Sequence, residues 1–164
     1  LKKNISQCLV KKNIFQKTKM RAFLMLDALK ATTYRGTTAQ YAQLVMAAVQ
    51  FNGLALEGAS EEMKNNKEVV LAAVQNNGLA LKYASENMKN DEEVVMAAIK
   101  KYGHAFRYAS DNMKNNKDVV LAAVQRYGFA LQYASDDMKN DQEVVMAAVQ
   151  NNVAASIFAS PIQG

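Results

Sequence analysis

Side chains able to do chemistry are sparse in this sequence. His104 is its one histidine and Cys8 its one cysteine, so neither a His/Cys metal cluster nor a nucleophile held beside an imidazole has the members it needs. Carboxylates come in runs such as Asp91-Glu92-Glu93 and Asp136-Asp137. They fall where helices are expected to end, which suits capping and dipole compensation better than a paired acid and base. No glycine-rich phosphate loop of the G-x-G-x-x-G or G-x-x-x-x-G-K-[ST] kind is present. No catalytic, cofactor-binding or metal-binding residue is therefore assigned, and a non-catalytic role is expected. What remains is a basic and aromatic set: Lys100, Lys101, Tyr102, His104, Arg107, Arg126 and Tyr127. Tyr and Arg are the side chains that most often anchor interfaces, so these seven are the expected partner-binding residues. The competing reading is that Tyr102 and Tyr127 only pack across a groove, with His104 a rim residue where other copies carry Leu54, Leu79 and Phe129.

The framework that would bring them together is a repeat. Gly53, Gly78, Gly103 and Gly128 are 25 residues apart, as are Met63, Met88, Met113 and Met138, and Ser60, Ser85, Ser110, Ser135 and Ser160. Residues 69–93 and 119–143 are close copies, and copies starting at Leu44 and Val94 share their frame. Four full repeats and a partial fifth, 44–164, follow a basic N-terminal helical cap, 1–43. The expected fold class is all-α: an α-solenoid of short helix-turn-helix repeats with a 25-residue period.

Each copy carries two helix signals. Asn65, Asn90, Asn115 or Asn140, with an acidic residue three positions on, predicts the first helix start. The VVLAAVQ stretch that follows is apolar almost all round, which predicts an inner helix buried on several sides. Glycine then ends it, in the left-handed conformation open to a residue without a side chain. A second, amphipathic helix is expected from Leu79 to Met88, with Leu81, Ala84 and Met88 inward and Lys82, Glu86 and Lys89 outward, partly 3₁₀ in so short a unit. The methionine columns read as core filler.

Outside the repeats, residues 1–43 hold nine basic residues against Asp27 alone, +8, leaving −3 for the remainder of a chain of net charge +5. Phe23, Leu24, Leu26 and Leu29 with Lys19, Arg21 and Lys30 predict a basic amphipathic helix from Thr18 to Tyr34, and a further helix is expected around Ile5 to Phe15. Thr37 and Gln40 form a capping-box pattern opening the next helix. The basic segment reads as a solvated face of a capping helix, with contact to nucleic acid or an anionic membrane as the alternative. Ile157, Phe158 and Ile162 form a terminal apolar surface open to self-association. A lone cysteine excludes a disulfide framework and suggests a reducing, cytoplasmic setting. The first residue, Leu1, suggests a piece of a longer protein.

The frame V-V-[LM]-A-A-[VI]-x-x-x-G-x-A-[LF]-x-Y-A-S-x-x-M-K-N, as in Val69 to Asn90, resembles a bacterial tandem-repeat family, the domain of unknown function 4116, over roughly residues 44 to 160. Ala80-Leu81-Lys82-Tyr83-Ala84-Ser85 and Ala130-Leu131-Gln132-Tyr133-Ala134-Ser135 match its A-L-x-x-A-S hallmark; Phe106 and the terminal Ala155 to Ser160 depart from it. The resemblance implies tandem helical repeats, often within larger proteins delivered into a host cytosol, and supplies no activity. A protein partner is expected. A substrate-positioning arm of an enzyme whose catalytic domain lies elsewhere is the other reading.

Overall fold

The computed structural model describes residues 37–159. The helices expected from Thr18 to Tyr34 and around Ile5 to Phe15, and the tail with Ser160 and Ile162, lie outside the described residues.

Five copies of one unit follow each other, and no strand occurs among the described residues. In each unit a long α-helix leads into a 3₁₀ helix and then, in the first four units, a one-turn α-helix. The first unit is α1 (Thr38–Phe51), η1 (Gly53–Gly58) and α2 (Glu61–Lys64). The second is α3 (Lys67–Asn76), η2 (Gly78–Tyr83) and α4 (Glu86–Lys89). The third is α5 (Glu92–Lys101), η3 (Gly103–Tyr108) and α6 (Asp111–Lys114). The fourth is α7 (Lys117–Arg126), η4 (Gly128–Tyr133) and α8 (Asp136–Asn140), and the fifth is α9 (Gln142–Asn151) and η5 (Val153–Phe158). The all-α solenoid with its 25-residue period is therefore the fold.

Its core lies between a layer of long helices and a layer of 3₁₀ helices. Val70, Val74, Val95, Ile99, Val120 and Val124 come from the first layer, and Leu56, Leu81, Phe106 and Leu131 from the second; all are buried. No unit could cover these side chains by itself, so neighbours must stack. Met63 is buried, and Met88, Met113 and Met138 are half-buried against the core, which fits their reading as filler.

Four local expectations need correction. The first long-helix cap is displaced by one residue. Asn66, Asp91, Asn116 and Asp141 cap the long helices through their side chains, whereas Asn65, Asn90 and Asn115 end the one-turn helices. Two adjacent Asx residues compete for the role, and spacing alone did not separate them. At the chain's first unit the Thr37–Gln40 capping box does form.

The helix expected from Leu79 to Met88 is two pieces. Ala84 is extended, with ψ of 156°, and Ser85 caps a fresh turn by accepting from the Met88 amide at 3.3 Å. Serine's competition for backbone donors breaks the helix there. The glycines are not left-handed: no described residue has positive φ. They are required for closeness instead, since a Cβ on Gly53 would stand 2.2 Å from the Ala73 carbonyl oxygen, and one on Gly78 2.5 Å from that of Ala98. Finally, the long helices are not buried on every side. Met96 is 36% and Met146 53% exposed.

Candidate recognition site

Adjacent units are tied by a bond set common to the array and by two further locks that vary. The common set joins each serine to the preceding one-turn helix. Ser85 donates its amide to the Lys64 carbonyl at 3.0 Å and its hydroxyl to Asn65 Oδ1 at 2.7 Å; Ser110 with Lys89 and Asn90, and Ser135 with Lys114 and Asn115, repeat this. At the first serine the Tyr41 hydroxyl stands in as acceptor for the Ser60 amide at 2.9 Å.

The first variable lock is an asparagine at the end of a long helix. Asn76 accepts from the Gly53 amide at 2.8 Å and donates to the Gln50 carbonyl at 2.8 Å, binding the second unit to the first. Asn151 does the same to Gly128 and Gln125, at 2.7 and 2.9 Å. The next residue is also asparagine in these units: Asn77 caps η2 through the Leu79 amide, and Asn152 caps η5 through that of Ala154. In the third and fourth units Lys101-Tyr102 and Arg126-Tyr127 replace both. No side-chain cap forms there, and among the described residues the Gly78 and Gly103 amides receive no asparagine acceptor.

The second lock is an ion triad. Lys67 lies 2.9 Å from Asp91 and 2.8 Å from Glu93, and Lys117 lies 2.9 Å from Asp141 and 2.8 Å from Glu143. Donating to these carboxylates, Glu93 and Glu143 foremost, raises both lysine pKa values. Asp141 is held below the usual carboxylate range, chiefly by its bond with Lys117. At Asp91 burial pushes the carboxyl up, but Lys67 and the Val94 amide outweigh it and the net shift is downward. The first junction thus has the asparagine lock, the second the triad and the fourth both. The third junction, between α5 and α7, has neither.

The substituted residues build an aromatic ladder across that junction. The His104 ring centroid lies 6.0 Å from Tyr102, 5.3 Å from Tyr127 and 5.8 Å from Tyr133, the last two edge-on. The ladder continues from Tyr127 to Phe129 and on to Phe158, at 5.8 and 5.9 Å. Arg107 sits over Tyr108 and Tyr133, 5.1 and 5.7 Å from their centroids, and its Nη1 is 3.2 Å from His104 Nε2. Because a guanidinium only donates, that contact requires the neutral imidazole with its proton on Nδ1. Burial first, and the Arg107 charge second, lower the His104 pKa and favour that form.

Of the seven residues expected at the site, Tyr102, His104, Arg107 and Tyr127 form this cluster. Lys101 joins Tyr102 in lining a groove of ≈300 Å³ over Asn77, Gly78 and Leu79. Lys100 and Arg126 line a separate groove between α5 and α7 with Met96 and Ile99. Lys100, Lys101, Tyr102, Arg107 and Arg126 are exposed, His104 and Tyr127 half-buried. Tyr108, Tyr133, Phe129 and Phe158 were not anticipated, although the tyrosine of each Y-A-S step was a visible signal. No group of three or more potential metal-ligating residues occurs among the described residues, and no described helix is long and apolar enough to cross a membrane.

The family model described as Domain of unknown function (DUF4116) matches four times, over residues 43–89, 66–114, 91–138 and 116–162. The chain belongs to the DUF4116 family. Successive DUF4116 matches begin 23, 25 and 25 residues apart, so each spans nearly two structural units and shares one with its neighbour. Searches of curated proteins and of solved structures give no match.

Proposed function

We propose that this DUF4116 array is a non-catalytic protein-binding module whose third and fourth units carry the contact surface. One observation supports the reading most strongly. Two consecutive units give up the asparagine lock and cap that their neighbours keep, and place Lys101-Tyr102 and Arg126-Tyr127 there instead. Departures from a locally stabilising rule concentrate where function sets the residue. The residues gained are of the types that anchor interfaces, and Lys101 and Arg107 add exposed positive charge, so the partner segment is acidic and carries an apolar or aromatic side chain to meet the ladder. We take a host protein as the partner class to test first, with the array acting as a scaffold in a cytosol.

The test is charge reversal at Lys101, Arg107 and Arg126 together, with partner capture from host-cell lysate and thermal unfolding measured side by side. Capture should disappear while cooperative unfolding persists. Unchanged capture by the folded triple variant sinks the assignment.

A further inference from the structure

The long helices leave one face outward, and it is patterned. Met46, Leu71, Met96, Leu121 and Met146 occupy the same position in the five units. They alternate between half-buried and exposed, apart from half-buried Met46. Beside them Ala72, Ala97, Ala122 and Ala147 keep the spaces between helices open. Two grooves result: an apolar one of ≈430 Å³ between α5 and α7, walled by Met96, Ile99 and Ala122, and a mixed one of ≈630 Å³ between α7 and α9, where Leu121, Met146 and Ala147 face the Lys117–Asp141–Glu143 triad and glutamines.

The two edges of this stripe differ in charge. At the helix starts, positions 67–68, 91–93, 117–118 and 141–143 hold seven acidic residues against Lys67 and Lys117. The two lysines are spent in the triads, and Glu68, Glu92 and Asp118 have no cationic partner among the described residues. At the helix ends, Lys100, Lys101 and Arg126 stand among uncharged Gln75, Asn76, Gln125, Gln150 and Asn151. An apolar stripe between a negative and a positive edge has one matching occupant.

We infer that the long-helix face binds an amphipathic α-helix, laid across the units, with basic residues along the flank that meets the acidic edge. The spacing agrees. Packed helices lie about 8–10 Å apart, and a heptad of helix advances about 10.5 Å, so apolar side chains one heptad apart enter successive grooves. Methionine suits such a surface because its unbranched chain moulds to the incoming helix. Lys101 and Arg126 border both this face and the aromatic ladder, but the methionine stripe and the ladder share no residue, so methionine and tyrosine substitutions separate the two sites.

The probe is a fluorescein-labelled three-heptad peptide with leucines on one stripe, lysines on one flank and glutamates on the other, titrated with the array in fluorescence polarisation. Saturable binding tighter than about 100 μM is expected. Met96→Lys with Met146→Lys, both exposed, should weaken it at least tenfold with an unchanged thermal midpoint. Glu68→Gln with Asp118→Asn, or a peptide with glutamate on both flanks, should weaken it about three- to tenfold, and Tyr102→Asn should leave it unchanged. No binding at about 100 μM, or binding indifferent to the methionine substitutions, overturns the inference. So does sedimentation showing the array self-associating through a surface that the methionine substitutions abolish, which gives the face to a second copy.

Discussion

Replacing Arg126 by asparagine should strengthen the third junction, which has neither lock. The structure supplies the template twice: Asn76 and Asn151 each make one accepting and one donating bond to the preceding unit, at 2.7–2.9 Å. In the third junction the partners are already in place, the Gly103 amide and the Lys100 carbonyl. A net intramolecular hydrogen bond contributes about 0.5–1.5 kcal/mol, so two contribute about 1–3. Asparagine is a poorer helix former than arginine by about 0.5 kcal/mol, and some contact between the Arg126 stem and Gly103 is lost. A gain of about 1 kcal/mol remains, worth about 3–5 °C in midpoint for an array of this size. Urea unfolding of Arg126→Asn beside Asn76→Ala measures both signs, the second losing about 1–3 kcal/mol. If the graft is neutral and the alanine variant costs nothing, the asparagine lock does not hold the units together.

Other outcomes follow from the same contacts. Gly53→Ala and Gly78→Ala each drive a Cβ into a backbone carbonyl and should destabilise by about 1–3 kcal/mol or more, whereas at Gly103 the nearest atoms are the Arg126 Cγ and the Tyr127 Cβ, both at 2.9 Å, a milder overlap, and urea unfolding should show a smaller loss. Lys67→Met should lower stability slightly at low ionic strength, and the difference from wild type should vanish near about 1 M salt, because the triad is exposed and screened. His104 has a depressed folded pKa relative to 6.5, so its contribution is complete above pH 6.5 and is lost as pH falls through the folded value; thermal midpoints should drop over that interval in wild type and less in His104→Gln.

The repeat, its length and its helical class were legible because a 25-residue recurrence of glycine, serine and methionine is independent of how each unit folds. The interior of the unit was less so. Leu79 to Met88 has the apolar spacing of one helix, and the Ser85 cap on the Met88 amide, held by its bonds to Lys64 and Asn65 of the preceding unit, shows why it breaks. Contacts between units are invisible to local periodicity, which is also why the glycines read as left-handed turns instead of points of close approach. Lys101, Arg126 and the two tyrosines were visible as varying positions; that they displace a lock and a cap required knowing what Asn76 and Asn77 bind. Lys100 and Arg126 were grouped with the aromatic residues by sequence proximity, but a helix end projects neighbouring residues to different faces, and they line another groove.

Amide hydrogen exchange at the four equivalent glycines tests most directly whether two units forgo the bonds their neighbours keep. The Gly53 and Gly128 amides, bonded to Asn76 and Asn151, should exchange at least about tenfold more slowly than those of Gly78 and Gly103, since about 1.4 kcal/mol of local protection is a factor of ten. Equal rates at all four would contradict the account.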